Sequence, residues 1–319
     1  MEKIIIEAMA FSLPLFAIAI GGIYCEGSGV INLALEGMLG FGAFFGGFIF
    51  SLLAPHFVTN VNIVVYLSLL FAMIGGGLFS LLLGMMTIKM RGNQAISGVV
   101  INMLAVALTA FLANQLNLSI FGAASNKFSL TVFPRITVPV LSEIPILGGF
   151  FTDVYVFEII IIIVAVILWD LLYRTSFGMR LRACGDNPHA VAAAGLDVNR
   201  IRFTAIVISG MMAGLGGMSF AYSISNNYSP SIFAGYGYLA IAAFAFGNWK
   251  IGQTLFACLL FGFTRSIGYS VIEWVGLPSS YSDLVLTLPY ITTLVLLLFF
   301  SKTSKAPKNL GEIYDKGKR

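Results

Sequence analysis

Two polar residues, Asn32 and Glu36, stand one helical turn apart within an otherwise apolar stretch of the sequence. Their four-residue spacing predicts that a helix carries both on one face. A carboxylate inside a membrane span costs roughly 2.5–3.5 kcal/mol on insertion scales, so it requires water, a ligand or a polar partner. Asn32 and Glu36 therefore either line the path of a polar solute or join two helices by hydrogen bonds.

Three amides and a tyrosine extend this set of polar groups. Asn93 and Gln94 begin another apolar run, and Asn102 follows about two turns later. Tyr222 ends a third run. Amide and phenol groups suit a neutral ligand with hydroxyl groups and ring edges, but they also join helices or form the interfacial belt of a membrane protein. The predicted solute path comprises Asn32, Glu36, Asn93, Gln94, Asn102 and Tyr222.

The sequence lacks the residue patterns of an enzyme or a metal site. No GxxxxGK[ST] phosphate loop occurs, so we expect no cofactor on this chain and ATP to be used by a separate subunit. The three cysteines, Cys25, Cys184 and Cys258, are odd in number and widely spaced, which argues against a disulfide or metal framework. We therefore expect a transport protein without catalytic residues and without a nucleic-acid partner.

The elements that must position these groups are transmembrane helices. Hydrophobic residues make up 58% of the 319 residues, charged residues only 10%, and the mean hydropathy is +0.94. Continuous apolar runs such as 154–169 have the length that a helix needs to cross a bilayer, and they lack the alternation of a β-barrel strand. The sequence predicts an all-α, polytopic bundle of about nine spans, with eight to ten possible. The predicted spans are 8–24, 31–54, 62–88, 94–113, 154–172, 203–222, 231–247, 251–270 and 283–300.

Basic residues predict the orientation of this bundle in its membrane. Fourteen of the 18 lysines and arginines lie in four segments, which are 89–92, 173–202, 248–250 and the residues after 300. All four fall on one side if every predicted span crosses, and that side is expected to be cytoplasmic. Residues 1–302 then form one transmembrane domain, 303–319 form a basic cytoplasmic tail, and the N-terminus lies outside. A 231–247 or 8–24 segment that enters only part of the way would change this parity.

The 173–202 segment contains the signals of a short helix. Pro188 suits a first helical turn after a polar cap at Asp186 or Asn187, and Gly195 suits the end of the helix. Residues 188–194 (PHAVAAA) carry small side chains that fit a groove on a soluble partner. The alternative is a solvated loop that only contributes cytoplasmic charge.

This segment resembles the cytoplasmic coupling loop of permease subunits from bacterial ABC importers, in the branched-chain amino acid, ribose and simple-sugar permease family. The matching residues are Gly178, Arg180, Arg182, Ala183, Gly185, Asn187, Pro188, Ala190, Ala194, Gly195 and Val198. The runs 27–38 (GSGVINLALEGM) and 91–98 (RGNQAISG) are similar to the nucleoside and simple-sugar branch of that family. The similarity extends over residues 8 to 300.

The resemblance implies a permease subunit that imports a neutral polar solute, in the first place a nucleoside, with simple sugars and riboflavin as alternatives. It implies a cytoplasmic ATP-binding subunit, an external solute-binding protein and a second permease subunit, either a different homologue, which is favoured, or an identical chain. The residues expected to couple to the ATPase are Gly178, Arg180, Arg182, Gly185, Asn187, Pro188, Ala190, Ala193 and Gly195. An ion-coupled secondary transporter is the alternative of another class, but the sequence shows no inverted repeat with a paired ion site.

Overall fold

The computed structural model describes residues 2–57, 60–139, 142, 148–276, 282–285, 287–300 and 306–315. Within these residues, seven helices are long and apolar enough to cross a membrane. Helices satisfy their backbone amide and carbonyl groups internally, as a lipid environment requires. The predicted all-α polytopic bundle is confirmed, and the chain is a multi-pass membrane protein.

The helices are numbered in chain order. The long ones are α1 (Glu2–Gly27), α2 (Leu35–Leu53), α3 (Val61–Gly84), α4 (Gln94–Leu116), α5 (Val156–Arg174), α8 (Val198–Phe220) and α10 (Ile251–Val275). The shorter ones are α6 (Ser176–Asp186), α7 (Pro188–Ala193), α9 (Tyr236–Phe246), α11 (Ser282–Val285) and α12 (Leu288–Phe300). Two short antiparallel pairs join β1 (Phe128–Ser129) to β4 (Asn227–Tyr228) and β2 (Arg135–Ile136) to β3 (Val154–Tyr155).

Glycines bring α2, α3 and α8 into backbone contact. A Cβ atom added at Gly214 on α8 would lie 2.1 Å from the carbonyl oxygen of Ala72 on α3. A Cβ atom at Gly76 would lie 2.2 Å from the carbonyl oxygen of Gly210, and one at Gly42 would lie 2.4 Å from Cα of Gly214. Without a hydrophobic driving force between helices in lipid, such close approach is a main source of packing energy. The abundance of glycine in these spans is therefore explained by helix packing.

The described parts of the four basic segments gather at one end of the bundle, here called the basic end. Arg91 forms an ion pair of 3.2 Å with Asp315 in the C-terminal tail. The amide of Asn309 donates to the carbonyl of Gly185 over 2.9 Å, which joins the tail to the 173–202 segment. At the other end, called the opposite end, Lys3 at the start of α1 pairs with Glu273 at the end of α10 over 2.7 Å. The start of α1 and the described part of the tail thus lie at opposite ends of the bundle.

The predicted span 231–247 is not a continuous helix, and this part of the prediction is wrong. Only Tyr236–Phe246 are helical, and eleven residues extend for about 16 Å, roughly half of a bilayer core. Residues 226–235 return from the opposite end as β4 and a short 3-10 turn, and α9 then runs to the basic end. Gly235 begins the helix at φ +85°, a conformation that favours glycine and interrupts the chain direction at this point.

The predicted span 283–300 is also discontinuous among the described residues, because α11 and α12 are separate helices of 4 and 13 residues. The Tyr290 hydroxyl of α12 donates to the carbonyl of Ala234 over 2.8 Å, which places α12 beside the start of α9. The predicted boundary between residues 302 and 303 lies outside the described residues, so the division into a membrane domain and a tail stays a prediction.

Candidate functional site

Glu36 holds the beginning of α9 inside the bundle. Its two carboxylate oxygens accept hydrogen bonds from the amides of Gly235 and Gly237, over 2.7 Å and 2.6 Å. The side chain is buried, with 5% of its surface exposed. A carboxylate at a helix N-terminus satisfies amides that have no partner within the helix, and it complements the helix dipole. A Cβ atom at Gly237 would lie 2.4 Å from the amide nitrogen of Glu36, so this contact requires glycine.

Asn32 lies before α2, and the prediction that it shares a helix face with Glu36 is wrong. Residues 28–34 form a loop, called the 28–34 loop, that turns back into the bundle after Gly29, whose φ is +92°. The Asn32 amide donates to Ser209 Oγ over 2.8 Å, and its oxygen accepts from the Ala34 amide over 3.0 Å. Ser209 lies about 17 Å along α8 from its first residue, so the 28–34 loop reaches deep into the bundle.

Asn102 and Gln94 on α4 hold the same loop from the other side. The Asn102 oxygen accepts from the Gly37 amide over 2.7 Å, and its amide donates to the Leu33 carbonyl over 2.7 Å and to the Tyr238 hydroxyl over 2.9 Å. The Gln94 oxygen accepts from the amide of Ile31 over 2.7 Å. The structure therefore brings Asn32, Glu36, Gln94 and Asn102 together around the 28–34 loop and the start of α9.

Two residues of the predicted path lie elsewhere. Asn93 is exposed at the basic end, where its side chain caps α4 by accepting from the Ile96 amide over 3.1 Å. Tyr222 is fully buried near the opposite end, with its hydroxyl 2.7 Å from Ser68 Oγ. The role of all six residues in solute passage stays a prediction.

Glu26 is a second buried carboxylate beside the 28–34 loop, and the predicted solute path did not include it. Its carboxylate accepts a hydrogen bond from the indole Nε1 of Trp249 over 2.8 Å. Trp249 lies three residues beyond the end of α9. Glu26 and Glu36 flank the 28–34 loop, so carboxylates on either side of this loop hold α9 near both of its ends. The available signal was the pairing of two acids around a Gly-containing break between apolar runs.

The predicted short helix is present as α7, and its caps are those that the sequence indicated. The Asn187 side chain accepts from the Ala190 amide over 3.0 Å, Pro188 occupies the first turn, and Gly195 follows the helix at φ +80°. Most of residues 176–202 are helical, because α6, α7 and the first turn of α8 occupy them. Docking of this segment on a soluble partner stays a prediction.

The predicted coupling residues fall into two groups by burial. The buried residues position the loop and comprise Gly178, Gly185 and Pro188. The exposed residues are accessible to a partner and comprise Arg180, Arg182, Asn187, Ala190, Ala193 and Gly195. A Cβ atom at Gly185 would lie 2.3 Å from the carbonyl oxygen of Gly27 at the end of α1, so α6 is packed directly against the start of the 28–34 loop.

The described part of the tail packs on the 28–34 loop. The sequence predicted the tail only as a basic extension and gave no contact for it. The Gly311 amide donates to the Gly29 carbonyl over 3.1 Å, and Arg202 donates to the Glu312 carbonyl over 3.1 Å. The ring of Tyr314 lies 5.4 Å from that of His189 on α7. The tail thereby connects α7 to the 28–34 loop.

A small apolar cluster packs α7 against α6 and α8. It comprises the buried side chains of Cys184, Val191 and Val198, and Tyr314 of the tail packs on it. Burial raises the pKa of the Cys184 thiol to about 11, so this cysteine stays protonated and unreactive at neutral pH. The three cysteines of the chain are all buried and free.

Comparison with known proteins identifies relatives over the whole chain. Residues 4–294 match the family described as branched-chain amino acid transport system, permease component. The chain is 38% identical to the guanosine ABC transporter permease protein NupQ of Bacillus subtilis, over 99% of this chain and 98% of that protein. It is 33% identical to the nucleoside ABC transporter permease protein NupC of Lactococcus lactis, over 100% of this chain and 98% of that protein.

A second guanosine ABC transporter permease protein of Bacillus subtilis, NupP, is 27% identical over 91% of this chain and 78% of its own length. No solved structure matches the chain significantly. The family match and the full-length relatives agree with the polytopic bundle. The chain belongs to the branched-chain amino acid transport system permease family and is a transmembrane permease component of an ABC transporter, not an enzyme.

Proposed function

We propose that this permease imports a neutral nucleoside through a bacterial inner membrane. The observation that carries the proposal is the similarity to NupQ and NupC along nearly the entire chain, at 38% and 33% identity. Simple sugars and riboflavin remain the alternative solutes, since they present similar hydroxyl groups.

The basic end is assigned to the cytoplasm, because lysine and arginine accumulate in cytoplasmic loops. There, the exposed face of α7 with Ala190 and Ala193 docks on an ATP-binding subunit, which uses the ATP. An external solute-binding protein delivers the nucleoside at the opposite end. A second, different permease subunit completes the pore, as the existence of both NupP and NupQ in one organism suggests for this chain.

Packing contacts support a route by which a movement of the ATP-binding subunit would displace the residues near the proposed solute path. A shift of α7 is transmitted through α6 and the tail to the 28–34 loop, by the contacts of Gly185 with Gly27 and of Gly311 with Gly29. That loop is continuous with Glu26 and Glu36, which hold α9. A discontinuous helix held by a few hydrogen bonds is an element that can change position without unfolding the bundle. We therefore assign α9 to the gate.

The proposed function predicts ATP-dependent nucleoside uptake by the assembled transporter. Liposomes that contain this chain, its permease partner and the ATP-binding subunit should accumulate tritiated guanosine when ATP and the solute-binding protein are supplied. Uptake by this chain alone under an ion gradient would contradict the proposal and support a secondary transporter. Accumulation of ribose or riboflavin in place of guanosine would reassign the solute.

The orientation predicts that residues 122–139 face the outside. The thiol of a Ser125→Cys variant should react with an impermeant maleimide in intact cells. The native cysteines are buried, so they should contribute little background. A Ser176→Cys variant is the matched control, because Ser176 is exposed at the start of α6 on the basic end and should react only after permeabilisation. The reverse pattern would overturn the orientation.

A further inference from the structure

A cavity of about 830 Å³ opens at the opposite end of the bundle, between α1, α10 and the end of α8. Its size is within the range of about 300–1,000 Å³ that small-molecule sites occupy. Aromatic rings of Phe11, Tyr155 and Tyr269 line it together with charged side chains. None of the residues predicted for the solute path from sequence lies in this cavity.

Two buried polar atoms that line the cavity lack a hydrogen-bond partner among the described residues. They are Nε of Arg265 and Oγ of Ser223. Buried polar groups are nearly always paired, so a donor left without a partner at a cavity wall indicates a missing acceptor. The Arg265 guanidinium lies between two rings, with its carbon 4.6 Å from the centroid of Phe11 and 5.0 Å from that of Tyr269. These contacts fix the plane in which Nε donates.

The other two cations that line the cavity are paired with side chains. Lys3 pairs with Glu273 over 2.7 Å at the mouth. Arg135 donates to the carboxylate of Asp153 and to the hydroxyl of Tyr155. Arg265 differs from both, because its guanidinium contacts two rings but forms no hydrogen bond or ion pair with a described residue.

Phe11, which lines the cavity, is in contact with the start of α9, the proposed gate. The ring of Phe11 lies 5.5 Å from that of Tyr236, the first residue of α9, and 5.3 Å from that of Phe220 on α8. Tyr236 and Phe220 also contact each other, with ring centroids 4.6 Å apart. A molecule in the cavity would thus rest on the aromatic cluster that begins α9.

The chemistry of the walls selects a class of ligand. Aromatic and apolar side chains suit a flat heterocycle, and the Arg265 guanidinium, which has no hydrogen bond to a described residue, suits a carbonyl oxygen or ring nitrogen on its edge. The carboxylates of Glu2, Glu7, Asp153 and Glu273 outnumber the three cations, so they accept from hydroxyl groups and disfavour a phosphate. We infer that this cavity is a binding site for a neutral nucleoside above the gate, an inference that rests on the proposed function and locates its solute.

A protection experiment tests this site in the assembled, full-length transporter in lipid nanodiscs. Ile6 lines the cavity from α1, and an Ile6→Cys variant supplies a reporter thiol against buried native cysteines. Millimolar guanosine should slow alkylation of this thiol by a small maleimide, whereas ribose and guanosine monophosphate should not. Adding Arg265→Lys keeps the charge but replaces the planar guanidinium and its fork of donors by a single ammonium, and it should raise the guanosine concentration for half protection by about tenfold.

The matched control is Arg174→Lys, since Arg174 also lies over an aromatic ring, Trp169 at 5.0 Å, but outside this cavity. It should leave protection unchanged. Three results would each overturn the site. They are protection by guanosine monophosphate as strong as that by guanosine, the same loss of guanosine protection in both lysine variants, and no guanosine protection in a transporter that takes up guanosine. In the last case the proposed function stands, whereas a wild-type transporter without guanosine uptake refutes the proposed function itself.

Discussion

Replacing Ala193 with tryptophan should abolish solute-stimulated ATP hydrolysis while leaving the protein folded in the membrane. Ala193 is exposed on the last turn of α7, so a large ring there would not disturb the bundle. The indole ring would occupy the space beside α7 that the alanine side chain leaves free for the ATP-binding subunit. A loss of about 1.4 kcal/mol in docking free energy lowers affinity tenfold, and a buried clash at the centre of an interface costs more. Uptake and stimulated ATPase activity should both fall roughly tenfold or more.

The control for this variant is Ala124→Trp, the same substitution at an exposed alanine near the opposite end. It should leave ATPase activity and uptake close to wild type. Co-purification of the ATP-binding subunit with each variant measures docking directly. Retention of stimulated ATPase activity in the Ala193→Trp transporter would show that α7 is not the coupling helix.

Gly185 is a poorer site for the same test, although the sequence pattern favours both positions. Its carbonyl accepts from Asn309, and a side chain there would contact the backbone of Gly27. A substitution at Gly185 would therefore disturb the connection between α6, the tail and the 28–34 loop as well as any docking surface. The exposed and buried members of the motif have different physical roles, which the sequence pattern alone does not separate.

Local signals in the sequence were sufficient for the long helices and for α7. Apolar runs of bilayer length predict the spans, and the Asn187–Pro188 pair with Gly195 predicts a helix by capping and backbone geometry that depend only on neighbouring residues. The discontinuity before α9 was not predictable in this way. It depends on Glu36, about 200 residues earlier in the chain, which satisfies the amides of Gly235 and Gly237.

The same reasoning applies to the polar residues of the predicted path. Their types were identified correctly from sequence as groups that need partners, but the partners are distant in the chain, such as Ser209 for Asn32 and Gly37 for Asn102. Because each amide has its hydrogen bonds within the protein, sequence spacing could not separate a structural role from a role in binding. The cavity near Arg265 was missed because its walls come from three helices and the 135–155 region.

Replacing Glu36 with leucine should sharply reduce the amount of folded permease. The substitution removes both acceptors and leaves the buried amide of Gly237 and the partly buried amide of Gly235 without partners. Each unsatisfied buried donor costs about 1–3 kcal/mol, so the combined loss is a large fraction of the stability of a typical protein. The midpoint of thermal unfolding in detergent and the yield of monodisperse protein should both fall.

Glu36→Gln separates the two interpretations of this carboxylate. Glutamine has one side-chain oxygen, so it can accept from only one of the two glycine amides. Its NH₂ group then faces the other glycine N–H, and two donors cannot form a hydrogen bond. We expect an unfolding midpoint between those of wild type and Glu36→Leu, and uptake that falls with the amount of folded protein. Glu312→Gln, at an exposed position in the tail, is the control for the substitution itself and should leave the midpoint unchanged.

An unchanged unfolding midpoint in Glu36→Gln with uptake reduced tenfold would instead show that the charge acts in solute passage. Wild-type stability and uptake in both Glu36 variants would remove Glu36 from the gate. The structure favours the intermediate unfolding midpoint predicted above for Glu36→Gln, because the carboxylate lies within hydrogen-bond distance of two helix-terminal amides at 2.7 Å and 2.6 Å and is only 5% exposed. An acceptor so placed keeps α9 in position, and if α9 is the gate as proposed, removing this acceptor loosens the gate.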